Sequence, residues 1–238
     1  MKVVVYTALI GDIDKLWAPL PGYESVAHVA FVDAPKVEAG LWGGRPPAIQ
    51  PGSSRAVAKP VWEQRSVTPA WNNRRTARHY KACPHRYMPD ADVWVWVDAN
   101  VRARITPQQI IDRYLTADLV TFRHWDRDCL YDEAAFCAKV HKDATGTLTS
   151  QAARYAHAGM PRHWGLAATR VVIRRNTPEI VALNEAWWAE MEAASYRDQV
   201  SLPYVCWKAG LRWDVIPGVC KPGKPGDFLY LGHTGRQR

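Results

Sequence analysis

Val93-Trp94-Val95-Trp96-Val97-Asp98-Ala99-Asn100 is the stretch whose reading decides the fold. Three valines and two tryptophans run without a polar residue until Asp98. β-Branched and aromatic side chains favour a strand. An unbroken apolar run suits a strand covered on both faces, as in the middle of a parallel α/β sheet. The run stops on a carboxylate, one spacer and a carboxamide. Ligands of open α/β sheets collect beyond the carboxyl ends of the strands. A hard divalent cation takes such oxygen donors and can hold a diphosphate against them. Asp and Asn also open ordinary turns, so the fragment alone supports a turn and a metal-ligand pair about equally.

Outward from this strand, the pattern repeats strand, helix, strand. Thr106 as cap, Pro107 at the first turn and Gln109 as capping-box partner predict a helix start. Ile110, Ile111, Tyr114 and Leu115 give that helix one apolar face. Residues 119–122 then read as a strand, so the middle of the chain has the βαβ rhythm of a mostly parallel sheet. Before the central strand, residues 2–10 and 28–32 read as strands, and 61–64 as a short one. Segment 36–59 is rich in Gly and Pro and reads as a surface loop. Thr68 and Pro69 predict a helix over 69–82. Further on, helices are expected through 139, over 148–158 and over 178–194, with strands at 170–174 and 212–216. Pro203 sits deep for an ordinary helix and is expected to kink the segment 202–207.

At 238 residues the chain can bury a sizeable core. Lys and Arg number 31 against 23 Asp and Glu, a net charge of +8 that favours an anionic partner. Twelve tryptophans supply core volume and platforms for sugars or bases. The five cysteines are scattered, with no C-x-x-C pair, which argues against a disulfide framework or a zinc site. They point instead to a reducing compartment. No apolar run approaches the roughly 18 residues of a membrane helix. The expectation is a soluble, cytoplasmic protein (host cytoplasm if viral).

Three further patches carry chemistry. Arg74, Arg78 and Lys81 fall at i, i+4 and i+7 on one helix face, and residues 64–89 hold six Lys/Arg and no acid. Like charges at that spacing repel, so an unrelieved stripe suits a bound diphosphate or phosphate backbone. The segment 123–133 is dense in His, Arg and carboxylate. Arg197-Asp198-Gln199 precedes another apolar segment, where Asp198 also suits a helix cap.

Several motifs occur together and in order. They are the opening with Thr7, Gly11 and Asp12, the basic stripe ending in Lys81, and the Val93 to Asn100 run. Then come His124-x-x-Arg127-Asp128-Cys129-x-Tyr131-x-Glu133-Ala134, Gln151-x-x-x-Tyr155-x-x-x-Gly159 and Arg197-Asp198-Gln199-x-Ser201. In this the chain resembles a GT-A-like glycosyltransferase family, related to plant mucilage and pectin enzymes and first catalogued as a domain of unknown function. The resemblance implies a single α/β, Rossmann-like domain over 1–219, with a mixed, mostly parallel sheet flanked by helices. A basic tail, 220–238, would contribute to the active site. It further implies a nucleotide-diphosphate-sugar donor, with UDP first in line, and Mn²⁺ or Mg²⁺ at a D-x-D-like motif. Asp98 and Asn100 match that motif, departing from it by ending in Asn, and His233 resembles a third ligand.

On that resemblance Thr7, Gly11, Asp12, Arg74, Arg78, Lys81 and Gln199 would hold the nucleotide sugar. His124, Arg127 and Arg197 would touch acceptor or sugar. If the reaction inverts the anomeric carbon, a carboxylate must deprotonate the acceptor hydroxyl, with Asp198 the first choice and Glu133 the second. If it retains configuration, Asp198 would brace the donor sugar. The acceptor is either a glycan (polysaccharide or glycolipid) or, given the charge, DNA bearing hydroxymethylpyrimidines. A non-catalytic nucleic-acid-binding module is the alternative from another class.

Overall fold

Alternation along Val93–Val97 (β6) organises the sheet. Trp94 and Trp96 pack into one apolar cluster and Val93, Val95 and Val97 into another, on the opposite face, as the period of two along a strand requires. A computed structural model of the chain describes residues 1–12, 14–18, 26–36, 38–39, 62–224 and 226–233. The strands before β6 are Val3–Leu9 (β1), Leu16–Trp17 (β2), Ala27–Val32 (β3), Glu38–Ala39 (β4) and Glu63–Ser66 (β5). Those after it are Val101–Ala103 (β7), Leu119–Arg123 (β8), Ala167–Arg175 (β9), Asp214–Ile216 (β10) and Phe228–Tyr230 (β11). The helices are Asn73–Ala82 (α1), Pro84–Tyr87 (α2), Pro107–Tyr114 (α3), Leu130–Lys139 (α4), Thr145–His157 (α5), Pro178–Ala193 (α6) and Asp198–Lys208 (α7).

The main sheet has seven strands in the order β10-β8-β9-β6-β1-β3-β5. All its pairs are parallel except those of β9, which runs against both β6 and β8. The carboxyl ends of β1, β3, β6 and β8 therefore share one edge with the amino end of β9. Helices α1, α4, α5, α6 and α7 pack on the tryptophan face. Helix α3, β7 and β11 cover the valine face. This is the mixed, mostly parallel α/β domain that the sequence implies.

Several boundaries differ from the sequence reading. Helix α1 starts at Asn73, because Asn72 caps it by accepting from the Arg75 amide at 2.9 Å. Thr68 and Pro69 lie outside the helix. Strand β9 is longer than expected and carries a bulge: Thr121 pairs with Val172 but Phe122 pairs with Ala168. Residues 169–171 are thus left over against β8, and bulges of this kind re-aim side chains next to active sites. Helix α7 runs through Pro203. Of the expected loop 36–59, residues 37 and 40–59 lie outside the described residues. The remainder includes β4, which pairs with β2. Val61 of the expected short strand is also outside them, and β5 begins two residues later.

The tail residues of β11 pair antiparallel with β7, and the Leu231 amide donates to the Asn100 carbonyl at 2.8 Å. That pairing brings His233 back to the end of β6. Residues 225 and 234–238 of the expected tail lie outside the described residues.

Arg174 on β9 is fully buried beneath the end of α1. It donates to the Lys81 carbonyl at 2.6 Å, the Ala82 carbonyl at 3.1 Å, the Tyr6 hydroxyl and the Asn184 amide oxygen. A guanidinium with its many donors can satisfy carbonyls that a helix end leaves open. Arg174→Met should lower stability by about 3 kcal/mol or more, since each orphaned buried acceptor costs about 1–3 kcal/mol. Urea unfolding measures this, and a loss under about 1 kcal/mol would show that the carbonyls find other partners.

Candidate active site

The shared strand edge borders a hollow of about 440 Å³, within the size range of ligand pockets. Gly11, Arg74, Arg78, Asp98, Asn100, His124, Arg127, Glu133, Arg197, Asp198, Gln199 and His233 all line it. Thr7, Asp12 and Lys81, grouped with them from the sequence as nucleotide-sugar ligands, do not. Thr7 is buried within β1. It borders a smaller hollow with Trp17, His28 and Trp62, and its hydroxyl has no hydrogen-bond partner among the described residues. The Asp12 carboxylate points to solvent, 3.1 Å from Lys36.

Lys81 is the largest departure. It shares the Arg74/Arg78 stripe in sequence, yet its side chain is completely buried. Its Nζ lies 2.6 Å from Asp198 Oδ2 and 3.3 Å from Asp98 Oδ1. The last turn of α1 packs onto the sheet edge, so Lys81 lies behind the two carboxylates instead of beside a ligand. It ties the carboxyl end of β6 to the start of α7, and its own bond to Asp198 spans 117 residues of sequence.

Asp198 occupies the first turn of α7, and Arg197, not Asp198, is the N-cap. Its carboxylate accepts from Lys81 and from the Thr169 hydroxyl at 2.7 Å, and it faces Arg78 Nε at 3.4 Å. Thr169 reaches it because the β9 bulge leaves that residue free of a β8 partner. Burial by itself would raise the Asp198 carboxyl. Arg78, Lys81 and Arg197 together hold it well below the usual carboxylate range.

Glu133 is equally engaged. Arg127 Nε donates to it at 2.7 Å and the Cys137 thiol at 3.2 Å, while Arg197 stands 3.6 Å away. Burial pushes its carboxyl up, but Cys137, Arg197 and Arg127 outweigh that and hold it below its ordinary value. Its geometry is that of a bracket that aims two guanidiniums along the wall. His124 stacks on Trp125 with ring centroids 4.5 Å apart. Its Nδ1 accepts from the Asp126 and Arg127 amides, and burial pushes the imidazole down to about 4. It is therefore neutral near pH 7.

At the opposite wall, Asp98 Oδ1 accepts from the Trp96 indole at 2.7 Å. Asn100 is buried, and its Oδ1 has no partner among the described residues. Its amide nitrogen lies 3.3 Å from His233 Nδ1, which in turn lies 3.1 Å from Asp14. Asn100 Oδ1, a buried and unpartnered carbonyl oxygen, lines the same hollow as the Asp98 and Asp14 carboxylates and the His233 imidazole, donor types that fit a hard divalent cation such as Mn²⁺ or Mg²⁺. Asp14 carries no signal of its own in the sequence, where the resemblance rests on Asp12 two residues earlier. Thr169 and Arg170 gave no signal, since the bulge that aims them at the site is a property of strand register. Arg170 lies between the Trp125 and Tyr230 rings at 4.5 and 4.3 Å.

Among the described residues no helix is long and apolar enough to cross a membrane. A curated relative is "Probable hexosyltransferase MUCI70" of Arabidopsis thaliana, 25% identical over 225 residues, covering 85% of this chain and 37% of that protein. A solved structure of WbbM, titled a bifunctional glycosyltransferase in its apo form, aligns with a TM-score of 0.47 at 9% identity. That alignment covers 91% of this chain and 38% of the other. The chain thus spans less than two-fifths of the length of either. The family model for the TOD1/MUCI70 glycosyltransferase-like domain matches residues 1–216. With nearly the whole chain inside that match, the protein belongs to the TOD1/MUCI70 glycosyltransferase-like domain family.

Proposed function

We propose that the hollow binds a nucleoside-diphosphate sugar, with UDP as the nucleotide, and that the chain transfers the sugar to an acceptor hydroxyl. One observation carries this reading. Asp98, Asn100, His233 and Asp14, with the unpartnered Asn100 oxygen, share a single hollow with Arg74, Arg78 and Asp198. A divalent cation held by Asp98, Asn100 and His233, with Asp14 beside them, would neutralise diphosphate charge. Breaking the sugar–phosphate bond builds negative charge on the leaving group, and Arg74 and Arg78 stand ready to stabilise it. Gly11 and Gln199 line the same space and contribute donor contacts. Arg127 and Arg197 contact the acceptor or the transferred sugar. The tail reaches the site through the β11 pairing, so the site draws on residues from both 1–219 and 220–238.

Asp198 is a poor general base in this reading. A carboxylate held far below its ordinary range accepts a proton weakly, and Glu133 is tied in the same way. Asp198 instead braces the donor sugar, accepting from its hydroxyls while Lys81 and Thr169 fix its orientation. That supports retention of anomeric configuration, which proton NMR of a product would display directly. An inverted product would require a base, and would return Asp198 or Glu133 to that role.

A glycan acceptor fits better than DNA. The α1 face is not an open basic stripe: Lys81 is buried, Arg74 bonds the Tyr196 hydroxyl, and Arg75 is tied to the carbonyls of Met191, Glu192 and Ala194. Labelled UDP-sugars incubated with oligosaccharides, and separately with hydroxymethylpyrimidine DNA, separate the two acceptors. A reducing compartment accords with the five cysteines, all buried and unpaired.

Thermal unfolding tests the donor site. UDP with Mn²⁺ at 100 times its Kd should stabilise by about 2.7 kcal/mol, roughly 5–10 °C for a domain of this size. EDTA should remove the shift. No shift at all would favour a non-catalytic nucleic-acid-binding module, and a shift equal with and without metal would remove the cation from the donor site.

A further inference from the structure

A cluster of metal-ligating side chains lies outside the hollow, where α4 begins against the loop before β9. Cys129, Asp132 and His163 bring a sulfur, a carboxylate oxygen and an imidazole nitrogen all within 4.8 Å of one another. We propose that this trio is a zinc site that staples the 161–165 loop to the start of α4.

The donor set is the first argument. Zinc is borderline-soft and takes thiolate, imidazole and carboxylate together, and with three protein ligands a water completes its tetrahedral shell. This set differs in kind from the Asp98–Asn100–His233 cluster, which contains no sulfur. The second argument is availability. Cys129 is the N-cap of α4, yet its side chain makes no capping hydrogen bond, so the sulfur is not spent on the helix. Asp132 lies three residues on, in the first turn, which places both groups on the same side of the helix start. Asp132 Oδ1 pairs with Arg162 at 2.5 Å, and a carboxylate has a second oxygen with which to meet an ion.

The third argument is the imidazole. His163 comes from the other segment, and its Nδ1 lies 2.8 Å from Asp128 Oδ1. A carboxylate on one ring nitrogen fixes the ring and leaves the other nitrogen for an ion, as outer partners of metal-bound histidines do. The Gly165 amide also donates to the Asp128 carbonyl at 3.1 Å, so the same two segments already meet. Cys129 is buried, Asp132 intermediate and His163 exposed, which leaves the ion an entry from the His163 side. On binding, Zn²⁺ replaces the Cys129 thiol proton, which leaves to solvent. Segment 124–128 runs directly into Cys129 and carries His124 and Arg127 into the hollow, so the staple would stiffen that wall.

Cobalt substitution on the metal-stripped full chain reads this site apart from any transferase activity. One equivalent of Co²⁺ should give a near-ultraviolet thiolate-to-cobalt band, and Zn²⁺ should bleach it stoichiometrically. Cys129→Ser should abolish the band. His163→Ala, at an exposed position, should weaken zinc binding sharply while the UDP–Mn²⁺ shift persists. Asp128→Asn should weaken zinc binding about 10–100-fold. A wild-type chain without the band overturns the proposal. So does a band that survives Cys129→Ser, or an unchanged zinc affinity in His163→Ala.

Discussion

Asp198→Asn should reduce transfer at least about a hundredfold, the scale seen when one preorganised polar contact to a reacting centre is removed. The side chain keeps its volume but loses the charge that Lys81 and Arg78 face at 2.6 and 3.4 Å. Asp198→Ala should also cost about 3–5 kcal/mol of stability, because breaking a buried pair leaves an uncompensated charge behind. The double variant Lys81→Met, Asp198→Leu separates the two effects. Replacing both partners with apolar groups should return stability close to the starting value, while transfer stays absent.

The pH dependence has a defined sign. The folded Asp198 carboxyl lies below its unfolded value, near 3.9, because three cations outweigh burial. Its contribution to stability is therefore complete above the ordinary carboxylate range and is lost as pH falls through and below it. Urea unfolding between about pH 6 and pH 3 should show a shallower decline in Asp198→Asn than in the parent chain. Near-normal turnover in Asp198→Asn, with a cooperative melt, would remove this residue from the reaction.

The second large effect belongs to Asp98. Asp98→Ala should abolish transfer and, with it, the Mn²⁺-dependent part of the UDP thermal shift. Stability should fall only modestly, by about 1–2 kcal/mol, because Lys81 keeps Asp198 and only the Trp96 indole loses its acceptor. Asn100→Asp restores a second carboxylate to the motif and should tighten Mn²⁺ binding, since a hard cation gains from added negative charge. Isothermal titration of Mn²⁺ in the presence of UDP measures both. An Asp98→Ala chain that binds the UDP–Mn²⁺ pair as tightly as its parent would exclude this cluster as the cation site.

Local chemistry in the chain determined a good deal. The unbroken apolar run of Val93–Val97, the Thr106–Gln109 capping box and the βαβ spacing are short-range signals, and the corresponding strand, cap and mostly parallel sheet all appear. Asp98, Asn100 and Asp198 could be picked out because carboxyl strand ends and helix starts meet at one sheet edge in such folds. Tertiary structure alone decided what depends on depth and register. Arg78 and Lys81 share a helix face, but only packing shows that one lines the hollow and the other lies beneath it, gripping two carboxylates. Glu133 reads as a free carboxylate until Arg127, Arg197 and Cys137 are seen around it. Thr169 is placed by a bulge, and His233 by a three-residue pairing too short to leave a periodic signal. No spacing rule connects Cys129 and Asp132 to His163, because their meeting depends on a loop returning across α4. Periodicity records which face of an element is apolar, whereas charge depth and convergence of distant segments are set when those faces pack.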